Sequence, residues 1–196
     1  MSKIYSIEDL KDILLKEKKR KKKIVLCHGV FDLLHIGHIK HLEKSKSLGD
    51  KLVVTITADK YVNKGPNRPA FNEQNRTEAI AALGIVDFVA INHDLNAVPA
   101  IKKLKPNFYC KGNDYSNKNL KNDINLKKEL QVLKLNKGKF RAINEPSFSS
   151  SKYINENELQ NISVECKKFV NSLRKEFHQN KINEFLKDIK SKKVLV

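Results

Sequence analysis

Residues 23–58, KIVLCHGVFDLLHIGHIKHLEKSKSLGDKLVVTITA, contain two apolar runs that flank a longer polar stretch. The runs KIVLCHG (23–29) and KLVVTITA (51–58) are almost continuously apolar, which is typical of strands buried on both faces of a parallel sheet. Between them, IGHIKHLEKSKSL (36–48) has the apolar spacing of a helix. Because parallel strands need a crossover connection, the segment predicts a strand, a helix and a second strand parallel to the first.

The same alternation continues along the rest of the chain. Ser6 with Asp9 forms the capping box of an earlier helix, and Asn72 caps a helix over NEQNRTEAIAAL (72–83). Further strands are predicted over VDFVAI (86–91), NFYCK (107–111) and KFRAI (139–143), with helices over AVPAIKKL (97–104) and LKKELQVLKL (126–135). This order predicts an α/β fold with a doubly wound, parallel five-stranded sheet of the Rossmann-like kind, followed by a C-terminal helical extension.

The composition is that of a globular, cytoplasmic protein. Of 196 residues 40% are hydrophobic, no apolar run reaches the roughly 18 residues of a membrane span, and the N-terminus lacks the apolar core of a signal peptide. Cys27, Cys110 and Cys166 are widely spaced and form no C-x-x-C motif. We therefore expect reduced thiols, a cytoplasmic location and no membrane partner.

The formal net charge of +17 raises the alternative of a basic nucleic-acid-binding protein without catalytic activity. Apart from KEKKRKKK (16–23), however, the lysines are spread along the whole chain, as on a solvated surface. Aromatic residues make up only 7% of the chain and there is no tryptophan, so a dedicated reader of nucleic acid is not favoured.

The first predicted strand is followed by the motif H-x-G-H, formed by His35, Gly37 and His38 at the start of a helix. The stretch contains neither G-x-G-x-x-G nor a P-loop, which argues against a dinucleotide oxidoreductase and a Walker-type NTPase. A helix N-terminus attracts phosphate, and two imidazoles beside it can donate hydrogen bonds to a transition state. The alternative of a metal site with His41 and Asp32 is not favoured, because this spacing drifts around a helix and no further ligands accompany it.

Five ordered blocks carry a resemblance to a known family. They are GVFDLLHIGH (29–38), ADKYVNKGPNRP (58–69), NRTEAIAALGIVDFV (75–89), KPNFYCKGNDY (105–115) and FSSSKYI (148–154). Together they resemble the cytidylyltransferase-like nucleotidyltransferases, also called the HxGH superfamily. The KGPNRP and KGNDY stretches look most like the ADP-heptose synthase branch of that family, and glycerol-3-phosphate cytidylyltransferase is also similar.

This resemblance implies a reaction in which a phosphate oxygen of an acceptor attacks the α-phosphorus of an NTP and expels pyrophosphate. The NTP would be ATP or CTP, carried with Mg²⁺, and the acceptor a sugar 1-phosphate or a polyol phosphate. The implied catalytic residues are His35, His38 and Lys64, and the implied acceptor-binding residues are Asp59 and Arg76. The implied nucleotide-binding residues are Gly29, Phe31, Asp32, Gly37, Lys111, Gly112, Asn113, Asp114, Tyr115, Ser149, Ser150 and Ser151. No protein-held metal is expected, and Asp32 is expected to orient His38 or its loop.

Several of these residues also have an ordinary structural reading. Lys64 could be one exposed lysine among many, Arg76 a solvated arginine in a first helical turn, and Asp59 a turn residue at a strand end. The three serines could simply cap a helix. His28 stands where relatives carry a small polar residue, and no role follows for it from the motif.

The resemblance also suggests a domain plan. Residues 1–21 would form an N-terminal helix and basic run, 22–156 the nucleotidyltransferase domain, 157–190 a helical linker or dimer contact, and 191–196 the start of a further domain. We expect a homodimer and, in the full-length protein, fusion to a sugar kinase. A class I aminoacyl-tRNA synthetase fragment would share HIGH (35–38), but the chain is far too short and has no K-M-S-K-S-like loop.

Overall fold

The computed structural model describes residues 3–64, 68–112 and 123–143. Several sequence predictions lie outside these ranges. They are the nucleotide contacts of Asn113, Asp114, Tyr115, Ser149, Ser150 and Ser151, the thiol state of Cys166, and the helical extension with the segment after it.

Helices and strands alternate through the described residues. The helices are α1 (Ile7–Lys19), α2 (Ile36–Lys46), α3 (Glu73–Ala81), α4 (Val98–Leu104) and α5 (Ile124–Leu135). The strands are β1 (Ile24–Gly29), β2 (Lys51–Thr57), β3 (Phe88–Asn92), β4 (Phe108–Gly112) and β5 (Lys139–Ile143). Each element predicted within the described ranges is present, and the predicted caps Ser6 and Asn72 accept backbone N–H groups at the starts of α1 and α3. A short 3₁₀ helix, Asp59–Tyr61, was not predicted.

The strands of the described segments form one parallel sheet in the order β3-β2-β1-β4-β5. The chain therefore runs outward from β1 in one direction and then, after β3, returns to the other side of β1. Ligands in such sheets bind beyond the carboxyl ends of the strands, close to this reversal. The predicted doubly wound, Rossmann-like fold is confirmed.

Successive side chains of each strand point to opposite faces of the sheet and pack into two separate hydrophobic cores. Leu26 and Val53 pack with residues of α1, α4 and α5 on one face, whereas Val25 and Val54 pack with α2 and α3 on the other. Burial on both faces explains why the strand sequences are apolar throughout. The two cores fix the helix starts around the carboxyl edge of the sheet.

Two smaller observations bear on earlier expectations. Cys27 and Cys110 lie opposite each other on β1 and β4, where both are buried free thiols, as expected. Within the described ranges, no helix combines the length and the apolar character needed to cross a membrane.

Candidate active site

The loop after β1 brings the H-x-G-H motif to the carboxyl edge of the sheet. Phe31 adopts a positive φ of 49° and turns its ring back over Gly29. A Cβ at Gly29 would lie 3.1 Å from that ring, so a larger residue there would displace Phe31. The Phe31 ring meets the imidazole of His38 edge-on, with the ring centroids 5.3 Å apart. The loop thus provides an aromatic wall for His38.

The imidazoles of His35 and His38 lie stacked at the start of α2. Their ring centroids are 3.9 Å apart and the ring planes differ by 24°. His35 is the N-cap of the helix, since its Nδ1 accepts the backbone N–H of Gly37 at 3.1 Å. A neutral imidazole that accepts at Nδ1 carries its proton on Nε2. His35 therefore presents an Nε2–H donor.

Two of the backbone amides at this helix start are already engaged. The N–H of Gly37 bonds to the His35 side chain, and the N–H of His38 bonds to the His35 carbonyl at 2.9 Å. A phosphate placed here would therefore be held by the imidazole N–H groups and by the positive end of the helix dipole, more than by these two amides.

Both imidazoles are neutral at physiological pH. Burial lowers the pKa of His35, and burial together with the nearby His35 and Lys64 lowers the pKa of His38 from 6.5 to about 4. Desolvation and neighbouring positive charge both oppose a second proton on an imidazole. In the protein without a bound anion, the two side chains are therefore uncharged hydrogen-bond donors.

This neutrality predicts an acid-sensitive fold. Below pH 6.5, the ordinary pKa of histidine, His38 becomes protonated in the unfolded chain. In the folded protein its pKa is about 4, so it stays neutral down to about that pH. The free energy of unfolding is thus fully retained above pH 6.5 and falls as the pH decreases from there. One such group costs up to about 1.4 kcal/mol per pH unit. Urea unfolding at about pH 7 and about pH 5 measures this slope, and His38→Gln should make it shallower. Equal slopes in the two proteins would contradict the account.

Asp32 organises the loop between β2 and α3. Its Oδ1 accepts the backbone N–H groups of Ala70 at 2.8 Å and Phe71 at 3.2 Å. Its Oδ2 lies 3.0 Å from Nε of Arg68, in an ion pair whose side chains are almost fully buried. These contacts tie Asp32 to the loop after β2, and its expected role, orienting His38 or the loop that carries His38, stays a prediction. A direct contact of Asp32 with the nucleotide stays a prediction.

Arg76 is the centre of a buried network beside this loop. It is 1% exposed, so the reading of Arg76 as a solvated arginine is wrong. Its guanidinium donates to the carbonyls of Val30, Thr57 and Phe71, and it forms an ion pair with Asp59 at 2.6 Å. Burial disfavours the predicted direct contact between Arg76 and the acceptor. The network instead positions the loop after β1 against the loop after β2.

Asp59 joins this network to the start of α3. Its Oδ2 accepts the N–H of Glu73 at 3.1 Å, and the Glu73 carboxylate accepts the N–H of Asp59 at 2.7 Å. The Asp59 side chain is 37% exposed although it is bound to Arg76. The acceptor contact predicted for Asp59 remains a prediction.

The two predicted lysines have different surroundings. Lys64 is exposed and close enough to His38 to lower the pKa of that imidazole. Lys111, near the end of β4, is 8% exposed and pairs with Glu129 of α5 at 3.1 Å. Glu129 also accepts from the hydroxyl of Tyr109 at 2.9 Å and from the backbone N–H of Ala97 at 2.8 Å. Gly112 ends β4, next to Lys111.

Sequence reasoning missed Glu73, Arg68 and Glu129. A signal for Glu129 was available, because it occupies the same helical face as Leu126 and Leu133, which are buried. In the described ranges, no group of three or more His, Cys, Asp and Glu side chains could hold a metal ion.

Comparisons with known proteins find several similar sequences. A sequence profile described as cytidylyltransferase-like matches residues 26–190. The chain is 41% identical over 117 residues to the bifunctional protein HldE of Syntrophotalea carbinolica, a match that covers 59% of this chain and 24% of that protein. It is 38% identical over 139 residues to the bifunctional protein HldE of Campylobacter concisus, with 70% of this chain and 29% of that protein covered.

A solved structure is similar as well. The lipopolysaccharide core biosynthesis protein from Thermoplasma volcanium superimposes with a TM-score of 0.52 at 27% sequence identity, covering 65% of this chain and 99% of that one. The matches to the two curated relatives span only about a quarter of their length.

Proposed function

The chain belongs to the cytidylyltransferase-like family of nucleotidyltransferases, and from this membership we propose that it transfers a nucleoside monophosphate from ATP or CTP to a phosphorylated acceptor. The acceptor is a sugar 1-phosphate, such as heptose 1-phosphate, or a polyol phosphate, and pyrophosphate is released. The observation that carries the proposal is the stacked pair of neutral imidazoles, His35 and His38, at the N-terminus of α2. The similarity to a lipopolysaccharide core biosynthesis protein supports a sugar acceptor.

The reaction requires alignment of the two substrates and stabilisation of the developing negative charge more than it requires general acid–base catalysis. The attacking phosphate oxygen of the acceptor is already anionic, so the protein has no proton to remove from it. As the bond from that oxygen to the α-phosphorus forms and the bond to pyrophosphate breaks, negative charge spreads over the α-phosphate and the leaving group. Neutral N–H donors held at a helix N-terminus stabilise this charge without having to reorganise.

Mg²⁺ would accompany the NTP and neutralise part of the charge on its phosphates. The carboxylates near the site are already engaged, because Asp32 binds two backbone amides and Arg68, and Asp59 binds Arg76 and an amide. These side chains do not form a cage for a resident ion. The residues therefore fit a metal that arrives on the substrate.

Lys64 would bind the leaving phosphates as a mobile cation. Lys64→Ala is expected to lower kcat/KM for the NTP by roughly 10- to 100-fold, since a charge-assisted hydrogen bond contributes about 1.5–3 kcal/mol. Steady-state kinetics measure this change. Lys60→Ala is the matched control, because Lys60 is an exposed lysine of the same loop whose ammonium lies 5.8 Å from the Tyr61 ring centroid. Equal losses in both variants would indicate a general charge effect and contradict the role of Lys64.

The organisation of the full-length protein is part of the proposal. The relatives are named bifunctional and extend well beyond the matched region. We place the nucleotidyltransferase domain at 22–156 and propose that it works beside a sugar kinase domain. The homodimer remains a prediction, because the helices expected to form its contact lie outside the described residues.

A substrate screen tests the function. The protein is incubated with each of the four NTPs against sugar 1-phosphates, polyol phosphates, phosphopantetheine and nicotinamide mononucleotide, and released pyrophosphate is measured. We expect pyrophosphate with ATP or CTP and a sugar or polyol phosphate only. Turnover confined to phosphopantetheine or nicotinamide mononucleotide would contradict the proposal. Salt-sensitive binding of nucleic acid without any pyrophosphate release would favour the alternative of a basic binding protein.

A further inference from the structure

His28 has no role in the reaction described so far. It lies near the end of β1, two residues beyond the core residue Leu26, on the face of the sheet that packs against α1, α4 and α5. The stacked histidines His35 and His38 lie at the start of α2, which packs against the opposite face. His28 therefore lies near the carboxyl edge of the sheet, on the face opposite to the two stacked histidines.

The hydrogen bonds of His28 define which ring nitrogen carries the proton. The hydroxyl of Thr55 donates to the carbonyl of Cys27 at 3.4 Å, which uses its one hydrogen. With the Thr55 hydrogen directed at this carbonyl, the 3.0 Å contact between His28 Nδ1 and Thr55 Oγ1 runs from Nδ1–H to the hydroxyl oxygen. Nε2 is thus left with a lone pair and acts as an acceptor.

The second contact of the ring is weak. His28 Nε2 and Thr57 Oγ1 are 3.4 Å apart, which is longer than the about 2.5–3.2 Å of well-formed hydrogen bonds. A hydroxyl group of a ligand could enter here, donating to Nε2 and accepting from the Thr57 hydroxyl. The carbonyl of Thr57 accepts a hydrogen bond from Arg76 at 2.8 Å, which holds the backbone of Thr57 in place beside His28.

The charge of His28 indicates the kind of group that it would bind. Burial, with the nearby Lys111 ammonium, lowers the pKa of His28 to about 3, so the ring is neutral at physiological pH. A neutral ring nitrogen that offers a lone pair repels a phosphate oxygen and accepts an O–H. The chemistry therefore matches a hydroxyl of a sugar or polyol, and not the phosphate of either substrate.

The hydrogen-bond partners of His28 favour the acceptor over the nucleotide. Its threonine partners are on β2, the strand that leads to Asp59, on the side of β1 away from β4. The residues proposed for the nucleotide, Lys111 and Gly112, lie at the end of β4 on the other side. A sugar reaching across from Asp59 would pass His28 and Thr57.

We propose that His28, together with Thr57, determines acceptor specificity by binding one hydroxyl group of the sugar or polyol. This inference rests on the proposed function and names a contact of the same site. It predicts that substitution of His28 changes the KM of the acceptor but not the KM of the nucleotide.

Steady-state kinetics with both substrates varied test the proposal. His28→Leu is expected to raise the acceptor KM about 10-fold, the size of one lost hydrogen bond, with the NTP KM unchanged. His28→Asn, which keeps a hydrogen-bonding side chain, should recover part of the loss. The matched control is His93→Leu, at an exposed histidine just after β3, which should leave both constants unchanged.

A second measurement uses the unaltered protein. In ¹⁵N NMR spectra, the Nε2 signal of His28 should shift on addition of the acceptor alone and stay in place with the NTP alone. An unchanged acceptor KM in both variants, an equal rise in both KM values, or a shift caused by the NTP would overturn the inference. If the unaltered protein turns over no phosphorylated acceptor at all, the proposed function itself fails and this inference fails with it.

Discussion

Replacement of His38 by alanine is expected to lower kcat by roughly 10²–10³, the usual cost of losing one preorganised donor to transition-state charge. His38 lies between the Phe31 ring and His35, and its neutral state makes it a donor and not a cation. Binding of the NTP in the ground state should change far less than turnover. Single-turnover kinetics and equilibrium NTP binding separate the two effects.

His35 requires a different substitution, because it also caps α2. His35→Ala would remove the acceptor for the Gly37 N–H and cost about 1 kcal/mol of stability in addition to any catalytic effect. His35→Asn keeps a capping side chain while removing the Nε2–H donor, so its loss of turnover reports on the chemistry. His41→Ala, about one turn beyond His38 on the same helix, is the control and should retain turnover. Near-normal turnover in both His38→Ala and His35→Asn would remove the pair from the mechanism.

Replacement of Arg76 by methionine is expected to destabilise the fold by about 3–5 kcal/mol, the cost of breaking a buried ion pair from one side. Methionine keeps much of the side-chain volume but leaves the carbonyls of Val30, Thr57 and Phe71 without their donor and Asp59 without its counter-charge. Arg76→Lys keeps the charge but cannot reach all of these acceptors, so it should recover only part of the loss. Urea unfolding measures both variants.

A matched control exists for this substitution. Arg20 forms an exposed pair with Glu17 three residues away, and its side chain is 73% exposed. Arg20→Met should therefore change the free energy of unfolding by less than about 0.5 kcal/mol. A loss at Arg76 below about 1 kcal/mol would mean that the network does not hold the two loops together.

The sheet and its helices could be predicted from local patterns. The strands are apolar because both faces are covered, and the helices begin at side chains such as Ser6 and Asn72 that bond to amides three residues away. Both signals are contained within a short stretch of chain. The motif at 35–38 could likewise be placed on a helix start before the structure was known.

The long-range contacts that hold the site together could not be predicted from local patterns. The carbonyl partner of Arg76 at Val30 is 46 residues away along the chain, and Asp32 reaches Ala70 across 38 residues. Nothing in the neighbouring sequence distinguishes such an arginine from a solvated one, since burial comes from the packing of several elements. The neutral state of His38 is also a tertiary property, because the burial, His35 and Lys64 that lower its pKa act through space.

The central claim, attack by an acceptor phosphate on the α-phosphorus, can be tested by following labelled NTP. In parallel reactions the NTP carries ³²P at the α- or the γ-position, with a sugar 1-phosphate acceptor identified by the screen. The account predicts that the α-label appears in the nucleotide-sugar product and the γ-label in pyrophosphate. The γ-label on the sugar, or its release as orthophosphate, would show transfer of the terminal phosphoryl group and contradict the account.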